Sequence, residues 1–120
     1  MPEEKDLRFD FPKFYRLRKS KEIKSLFSQG KRIESKRFIL YYKENLLPYP
    51  RIAIITSRKV GKAVFRNRLR RYIREIFRQN KEFFDKMDYV VIFKKNLFKI
   101  KYSDLENEIK KVLDNVENQG

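Results

Sequence analysis

The stretch "GKAVFRNRLRRYIREIFR", residues 61–78, decides how this chain is interpreted. It contains seven Lys or Arg residues and one acid, Glu75. Its apolar residues recur at the spacing of one helical face, which predicts an amphipathic helix. That apolar stripe consists of Phe65, Leu69, Tyr72, Ile73, Ile76 and Phe77. The opposite face carries Asn67, Arg71, Arg74 and Arg78. We therefore expect one face to cover a sheet and the other to be basic.

This basic face would be unfavourable in an isolated helix. Like charges four residues apart, such as Arg66 and Arg70, cost roughly 0.2–0.5 kcal/mol per pair, and Asn67 is a poor helix former. Local costs of this kind occur most often at functional sites. Arg offers a bidentate fork to phosphate oxygens, and Asn offers a donor and an acceptor to a base or ribose. The alternative is that this face is simply exposed to solvent. A solvent-exposed face normally mixes positive and negative charges, whereas this one is almost entirely positive, so we predict that it binds nucleic acid.

The composition supports a polyanionic partner. The chain has 120 residues, which fits one domain, and its formal net charge is 31 − 16 = +15. Residues 103–120 carry five acids and two bases, a net charge of −3, so the rest of the chain carries +18. We expect the C-terminal segment to be support and the remainder to attract a polyanion. Nucleic acid is the first candidate and an anionic membrane surface the second.

Several other classes of protein are disfavoured. Cysteine is absent, which excludes disulfides and thiolate metal sites. No run approaches 18 apolar residues, and the N-terminus lacks the apolar core of a signal peptide. We therefore expect a cytoplasmic protein with no membrane contact. Residues 1–19 are predicted to be an irregular lead-in, and residues 20–120 a single RNA-binding domain.

The remaining pattern predicts an α+β fold. Residues 20–28 form a helix, 31–34 a short strand, and 37–43 a longer strand with alternating faces. One face of that strand holds Phe38, Leu40 and Tyr42, and the other holds Ile39, Tyr41 and Lys43. Residues 51–57 form a strand that is predicted to pair with 37–43 as a hairpin. A strand at 89–95 follows the basic helix. A last helix begins at Ser103, with Ser103 and Glu106 as a capping box. Together these elements predict a single-domain α/β sandwich.

Residues for independent nuclease chemistry are missing. A protein ribonuclease needs a positioned acid and base, commonly His, or a carboxylate cluster for metal, and this chain has no histidine. Asp85 and Asp88 are a close pair, but they lie in a predicted turn, where solvation is favoured over metal binding. The "GK" at Gly61 and Lys62 lacks the spacing of a P-loop. We predict no catalytic residue and no metal ligand.

The stretch at 60–74, "VGKAVFRNRLRRYIR", resembles the signature of the bacterial ribonuclease P protein subunit, with Arg66-Asn67-Arg68 as its hallmark. Similar stretches are "RLRKSKEIKSLFSQGKR", "RFILYY", "RIAIITSRKVGKAV" and "DYVVIF", so nearly the whole chain from residue 15 is covered. The resemblance implies an αβββαβα order, a small mixed sheet and a left-handed βαβ crossover.

The resemblance also implies a function. The partners would be the catalytic RNA of ribonuclease P and precursor tRNA, from which the RNA removes the 5′ leader. The protein, a monomer when alone, would bind the leader and stabilise the RNA fold without doing the chemistry. Mg²⁺ would serve the holoenzyme and be held mainly by RNA, with none bound tightly to the protein.

Two sets of site residues follow by matching positions. The surface that docks on the RNA subunit would comprise Lys59, Lys62, Arg66, Asn67, Arg68, Arg70, Arg71 and Arg74. The leader would lie in a cleft between the first helix and the sheet, lined by Ile23, Phe27, Ile39 and Tyr41. Aromatic rings suit unpaired bases because stacking demands no particular sequence. Many family members have Phe where this chain has Ile23.

Two alternatives use the same basic helix. One is a ribosomal or DNA-binding protein that inserts the helix into a groove. The other is a membrane-surface protein with a basic amphipathic helix. The membrane reading is disfavoured because the apolar stripe is needed to cover the sheet. The groove-binding reading is disfavoured because the resemblance extends to the leader cleft as well as the helix.

Overall fold

The structure, a computed structural model, describes residues 16–119, with side chains described as far as Val116. It contains α1 (Ser20–Gln29), β1 (Lys31–Glu34), β2 (Phe38–Glu44), β3 (Arg51–Ile55), α2 (Ala63–Gln79), β4 (Met87–Phe93) and α3 (Tyr102–Gln119). The predicted αβββαβα order is confirmed. Most of the predicted lead-in, residues 1–15, lies outside the described residues. Within the described end of the lead-in, Arg16 forms an isolated parallel bridge with Ile52 in β3.

The four strands form one mixed sheet in the order β1-β2-β4-β3. β2 is antiparallel to β1 and β4, whereas β3 and β4 are parallel. The predicted hairpin between β2 and β3 is therefore wrong, because β4 lies between them. β4 is almost continuously apolar and buried, which is typical of a central strand. The six-residue connection at 45–50 can step over one strand, since neighbouring strands lie only about 4.8 Å apart.

The chain passes from β3 through α2 into the adjacent parallel strand β4. This connection is the βαβ crossover that the resemblance implies, and its left hand stays a prediction. Because β3 and β4 run in the same direction, their C-terminal ends lie at the same end of the sheet, with Ile55 beside Ile92. The basic helix α2 begins shortly after this end of β3.

The sheet is covered unequally on its two faces. α2 and α3 pack on the face that contains Phe38, Leu40 and Tyr42, all buried, and build the main core there. α1 covers the other face through Leu26, which packs with Leu17 and Val90. The alternation of β2 is confirmed, since Ile39, Tyr41 and Lys43 on this second face are only half-buried.

Two local predictions are wrong. α3 begins at Tyr102, so Ser103 lies inside the helix and is not its N-cap. The Glu106 carboxylate accepts a hydrogen bond from the Asn80 amide at 3.0 Å instead of closing a capping box. Asp88 lies within β4 and is buried, not in a solvated turn. Its burial is tolerated because Arg51 Nη2 lies 2.8 Å from its carboxylate.

Candidate nucleic-acid interface

The basic helix α2 has two distinct sides. Leu69, Ile73, Ile76 and Phe77 are buried against the core. Phe65 and Tyr72, which were predicted to belong to the apolar stripe, are only half-buried, so the buried face of α2 is centred closer to Ile73 and Phe77. On the solvent side, Asn67, Arg68 and Arg71 are exposed, while Arg66, Arg70 and Arg74 are half-buried along one flank. These six residues form what we call the basic face.

The basic face is extended at its start by Lys59 and Lys62, both exposed. A 3₁₀ turn, Arg58–Val60, leads into α2 and is anchored by buried Val60. Gly61 follows, and a Cβ atom there would lie 2.8 Å from Cδ2 of Phe65, so the absence of a side chain makes room for that ring. Because helix N-termini carry a partial positive charge, these two lysines add to a positive potential already present. All eight residues predicted for this surface therefore lie along one continuous strip.

Asn67 has a defined role within this strip. Its Oδ1 atom accepts a hydrogen bond from Nη1 of Arg70 at 2.6 Å, one helical turn away. This bond orients the Arg70 side chain, while the amide N–H groups of Asn67 donate to none of the described residues. The poor helix former is thus tolerated because its side chain organises a neighbouring guanidinium group.

Positive charges crowd the flank of the basic face. Partial burial, together with the charges of Arg16 and Arg70, lowers the pKa of Arg74. The Nε atom of Arg66 is buried and has no hydrogen-bond partner among the described residues. An approaching polyanion would relieve this repulsion, whereas a neutral partner would not.

Arg78 does not belong to the basic face. Its guanidinium group forms a salt bridge with Glu75, the one acid of the stretch. The prediction had grouped Arg78 with Asn67 and Arg71, but this pair neutralises the C-terminal end of α2. The unbalanced positive charge is therefore confined to the first three turns and the residues just before them.

The second predicted surface lies between α1 and the sheet, and we call it the cleft. Ile23 and Tyr41 are half-buried and pack against the small cluster of Leu17, Leu26 and Val90. The Phe27 ring is 42% exposed and meets the Tyr41 ring edge-on at 5.0 Å between centroids. Ile39 lies on the same sheet face, two residues before Tyr41. The cleft therefore presents an aromatic pair to solvent rather than burying it.

Polar contacts that the sequence did not reveal hold α1 over the cleft. Arg51 bridges Glu22 in α1, at 3.2 Å, and Asp88 in β4, at 2.8 Å. Its hydrogen bond to Asp88, more than that to Glu22, raises the pKa of Arg51. Lys43 Nζ donates to Ser25 Oγ at 2.7 Å, also in α1. The contact of Arg51 with Asp88 depends on β3 lying beside β4, which is the pairing that the sequence did not predict.

Among residues 16–119, no group of three or more His, Cys, Asp or Glu side chains is placed to hold a metal ion. Within the same residues, no helix is both long enough and apolar enough to cross a membrane.

The family model for ribonuclease P matches residues 11–117 of this chain. The chain belongs to the ribonuclease P protein family. Its relatives include the ribonuclease P protein component of Petrotoga mobilis, 43% identical over 112 residues, covering 89% of this chain and 95% of the relative. The Thermotoga maritima component is 41% identical over 88 residues, covering 72% of this chain and 75% of the relative.

Solved structures of the ribonuclease P protein share the fold. The Thermotoga maritima protein superposes with a TM-score of 0.76 at 33% identity, covering 83% of this chain and 96% of that one. The Staphylococcus aureus protein gives 0.78 at 27% identity, covering 85% and 94%. As a ribonuclease P protein, the chain has a role in an endoribonuclease complex and is a partner of the ribonuclease P RNA. The resemblance seen in the sequence is thereby confirmed.

Proposed function

We propose that this chain is the RNA-binding subunit of ribonuclease P, which assists the catalytic RNA in removing the 5′ leader from precursor tRNA. The observation that carries the proposal is the exposed basic face of α2. Residues 57–74 contain no acid, and the exposed side chains of this segment include Lys59, Lys62, Asn67, Arg68 and Arg71. A surface of this length and sign matches a phosphate backbone.

The basic face is proposed to dock on the RNA subunit, because its guanidinium groups project from a rigid element. α2 is held by four fully buried side chains and does not need to fold on binding. Guanidinium groups fixed in this way can bind phosphates bidentately with little loss of conformational freedom. Docking of this kind would also stabilise the folded form of the RNA.

The cleft is proposed to bind the single-stranded 5′ leader. Tyr41 and the partly exposed Phe27 offer ring surfaces to unpaired bases, and stacking contributes about 1–3 kcal/mol per base. Ile23 and Ile39 would provide apolar contact beside the rings. Since mature tRNA has no leader, binding here would favour the precursor over the product.

The chemistry is assigned to the RNA. The chain has no histidine, the commonest general acid–base group, and the carboxylate of Asp88 is bound by Arg51 and Asn45. Mg²⁺ is proposed to serve the holoenzyme and to be held mainly by RNA phosphates. The protein's contribution is then binding, orientation and charge neutralisation.

Reconstitution tests this proposal. The chain is mixed with a bacterial ribonuclease P RNA and precursor tRNA at low Mg²⁺, and cleavage is compared with that by RNA alone. We expect a marked stimulation, because the basic face replaces part of the charge screening that Mg²⁺ otherwise supplies. Polylysine of similar total charge serves as the control. No stimulation, or stimulation equalled by polylysine, would refute the proposal.

A further inference from the structure

A groove of about 620 Å³ lies beyond the C-terminal ends of β3 and β4. It is separate from the cleft under α1. One wall is formed by residues 58–62, the turn that leads into the basic helix. The other wall is formed by residues 96–98, in the loop between β4 and α3. The ring of Phe65, in the first turn of α2, also lines it.

The loop that forms the second wall is fixed in place by backbone hydrogen bonds. The Asn96 N–H donates to the Lys59 carbonyl at 2.8 Å, and the Leu97 N–H donates to the Val60 carbonyl at 3.1 Å. Asn96 has a φ of 59°, in the left-handed region that asparagine tolerates better than most residues. The groove is therefore bounded by a preformed rim rather than by a loosely attached loop.

Phe98 is the unusual residue of this rim. Its side chain is 84% exposed, although Leu97 before it is half-buried and Ile100 after it is buried. Burial of a phenylalanine side chain is normally favourable, and Phe98 largely forgoes that stabilisation. The loop is thus anchored by Leu97 and Ile100, and it presents the ring of Phe98 to solvent.

The charge around the ring is uniformly positive. Arg58, Lys59 and Lys62 line the groove, and exposed Lys95 and Lys99 flank Phe98 in the sequence. Residues 94–103 contain no acid, and neither do residues 57–74. An exposed ring among cations is the combination that binds unpaired nucleotides, since the base stacks and the phosphates meet the charges.

We propose that this groove holds an unpaired nucleotide of the ribonuclease P RNA, with the base on Phe98 and the phosphates on Lys59 and Lys62. The inference rests on the proposed function, because the same two lysines also belong to the strip that docks on the RNA subunit. An RNA that lies along α2 would reach the groove without a break in contact. An acidic peptide would satisfy the lysines but would leave the flat ring without a comparable partner.

The test measures the affinity of the full-length chain for its cognate ribonuclease P RNA. Phe98→Ala should weaken binding at least fivefold, the low end for stacking of one base on an aromatic ring. Phe98→Trp keeps a ring and should bind like the wild type. Leu46→Ala is the matched control, since Leu46 is 97% exposed but follows β2, at the opposite end of the sheet. Chemical probing should show one unpaired nucleotide that is protected by the wild type and reactive with Phe98→Ala.

The outcomes separate this inference from the proposed function. If the wild-type chain neither binds the RNA nor stimulates cleavage, the proposed function itself fails. If the wild type binds and Phe98→Ala binds equally well, or if Leu46→Ala is weakened as much, the groove assignment is overturned. A loss confined to the preference for precursor over mature tRNA, with unchanged affinity for the RNA subunit, would place the leader in the groove and also overturn it. Unfolding midpoints of the variants should match, because both side chains are exposed.

Discussion

The two faces of one sheet are used differently in this protein. On what we call the closed face, Phe38, Leu40 and Tyr42 are sealed beneath α2 and α3. On the open face, Ile39 and Tyr41 alternate with them along the same strand, yet only α1 lies above and both stay half-buried. Since neighbouring residues of β2 differ so much in burial, the contrast comes from what covers each face. The closed face supplies stability, and the open face leaves apolar and aromatic groups within reach of a ligand.

The largest expected effect comes from replacing one phenylalanine on each face. Phe38 is fully buried on the closed face, whereas Phe27 is 42% exposed above the open face. Phe38→Ala should lower the free energy of unfolding by about 3–5 kcal/mol, because it removes a buried ring and leaves a cavity. Phe27→Ala should cost clearly less, about 1 kcal/mol, because its ring is already partly in solvent and loses chiefly its edge-on contact with Tyr41. Urea denaturation followed by circular dichroism measures both, and equal losses would contradict the contrast.

A second prediction concerns the way α3 is tied to the β1–β2 turn beside the closed face. Glu108 Oε1 accepts from Arg37 Nη1 at 2.7 Å, and its other oxygen accepts from the Arg37 N–H and the Ser35 hydroxyl. Burial opposes ionisation, but these hydrogen bonds outweigh it and lower the pKa of Glu108. The stabilisation is therefore complete above the unfolded-state pKa of about 4.3 and is lost as pH falls through the folded value.

Glu108→Gln should accordingly destabilise the protein by about 1.5–3 kcal/mol at pH 7, the range for hydrogen bonds to a charged group. The difference from the wild type should shrink as pH falls below 4. Denaturation curves at pH 7 and at pH 2.5 measure this. Glu82→Gln, which changes an exposed glutamate in the turn before β4, is the control and should alter stability little at either pH. A difference for Glu108→Gln that stays constant with pH would rule out the ionic contribution.

Substitutions on the open face should change the choice of substrate rather than the stability of the protein. Tyr41→Ala should reduce the preference of the reconstituted enzyme for precursor over mature tRNA by at least about fivefold, corresponding to the loss of one stacked base. Tyr41→Phe keeps the ring and should retain the preference. Binding constants for the two tRNAs measure this directly. Equal weakening for precursor and mature tRNA would argue against a leader site in the cleft.

The same contrast explains what the sequence could predict. The element order, the alternating faces of β2 and the two sides of α2 follow from local periodicity, because each depends on a few neighbouring residues. The position of β4 between β2 and β3 had a local signal in the nearly continuous apolar run of β4, but the prediction paired β2 with β3 because they are consecutive in the sequence. The contact of Arg51 with Asp88 follows from the pairing of β3 with β4 and could not be foreseen without it.

The candidate site was predictable to a similar extent. The strip from Lys59 to Arg74 lies on one helix and its entry turn, so its spacing was visible in the sequence. The burial of the Arg66 Nε atom depends on how α2 is rotated over the sheet. The pairing of Arg78 with Glu75 is a contact three residues apart on one helix, and its spacing could have been recognised in the sequence. The position of Phe98 among lysines in "KKNLFKIK" was visible in the sequence. The sequence alone does not show whether an aromatic residue in such a run is exposed or buried.

The prediction with the smallest expected effect tests whether the RNA recognises the basic face itself or only the net charge of the protein. Arg71 is exposed at the middle of the basic face, and its side chain makes no hydrogen bond or ion pair with the described residues. Arg71→Ala should weaken affinity for the RNA subunit by about 1 kcal/mol, the upper range for one exposed charge pair, which is roughly fivefold. It should also reduce the slope of log affinity against log salt by about 1. Lys86→Ala removes the same charge from the exposed turn before β4 and should change both quantities much less. If the two variants lose affinity equally across a salt titration, the RNA responds to total charge and the basic face has no special part in docking.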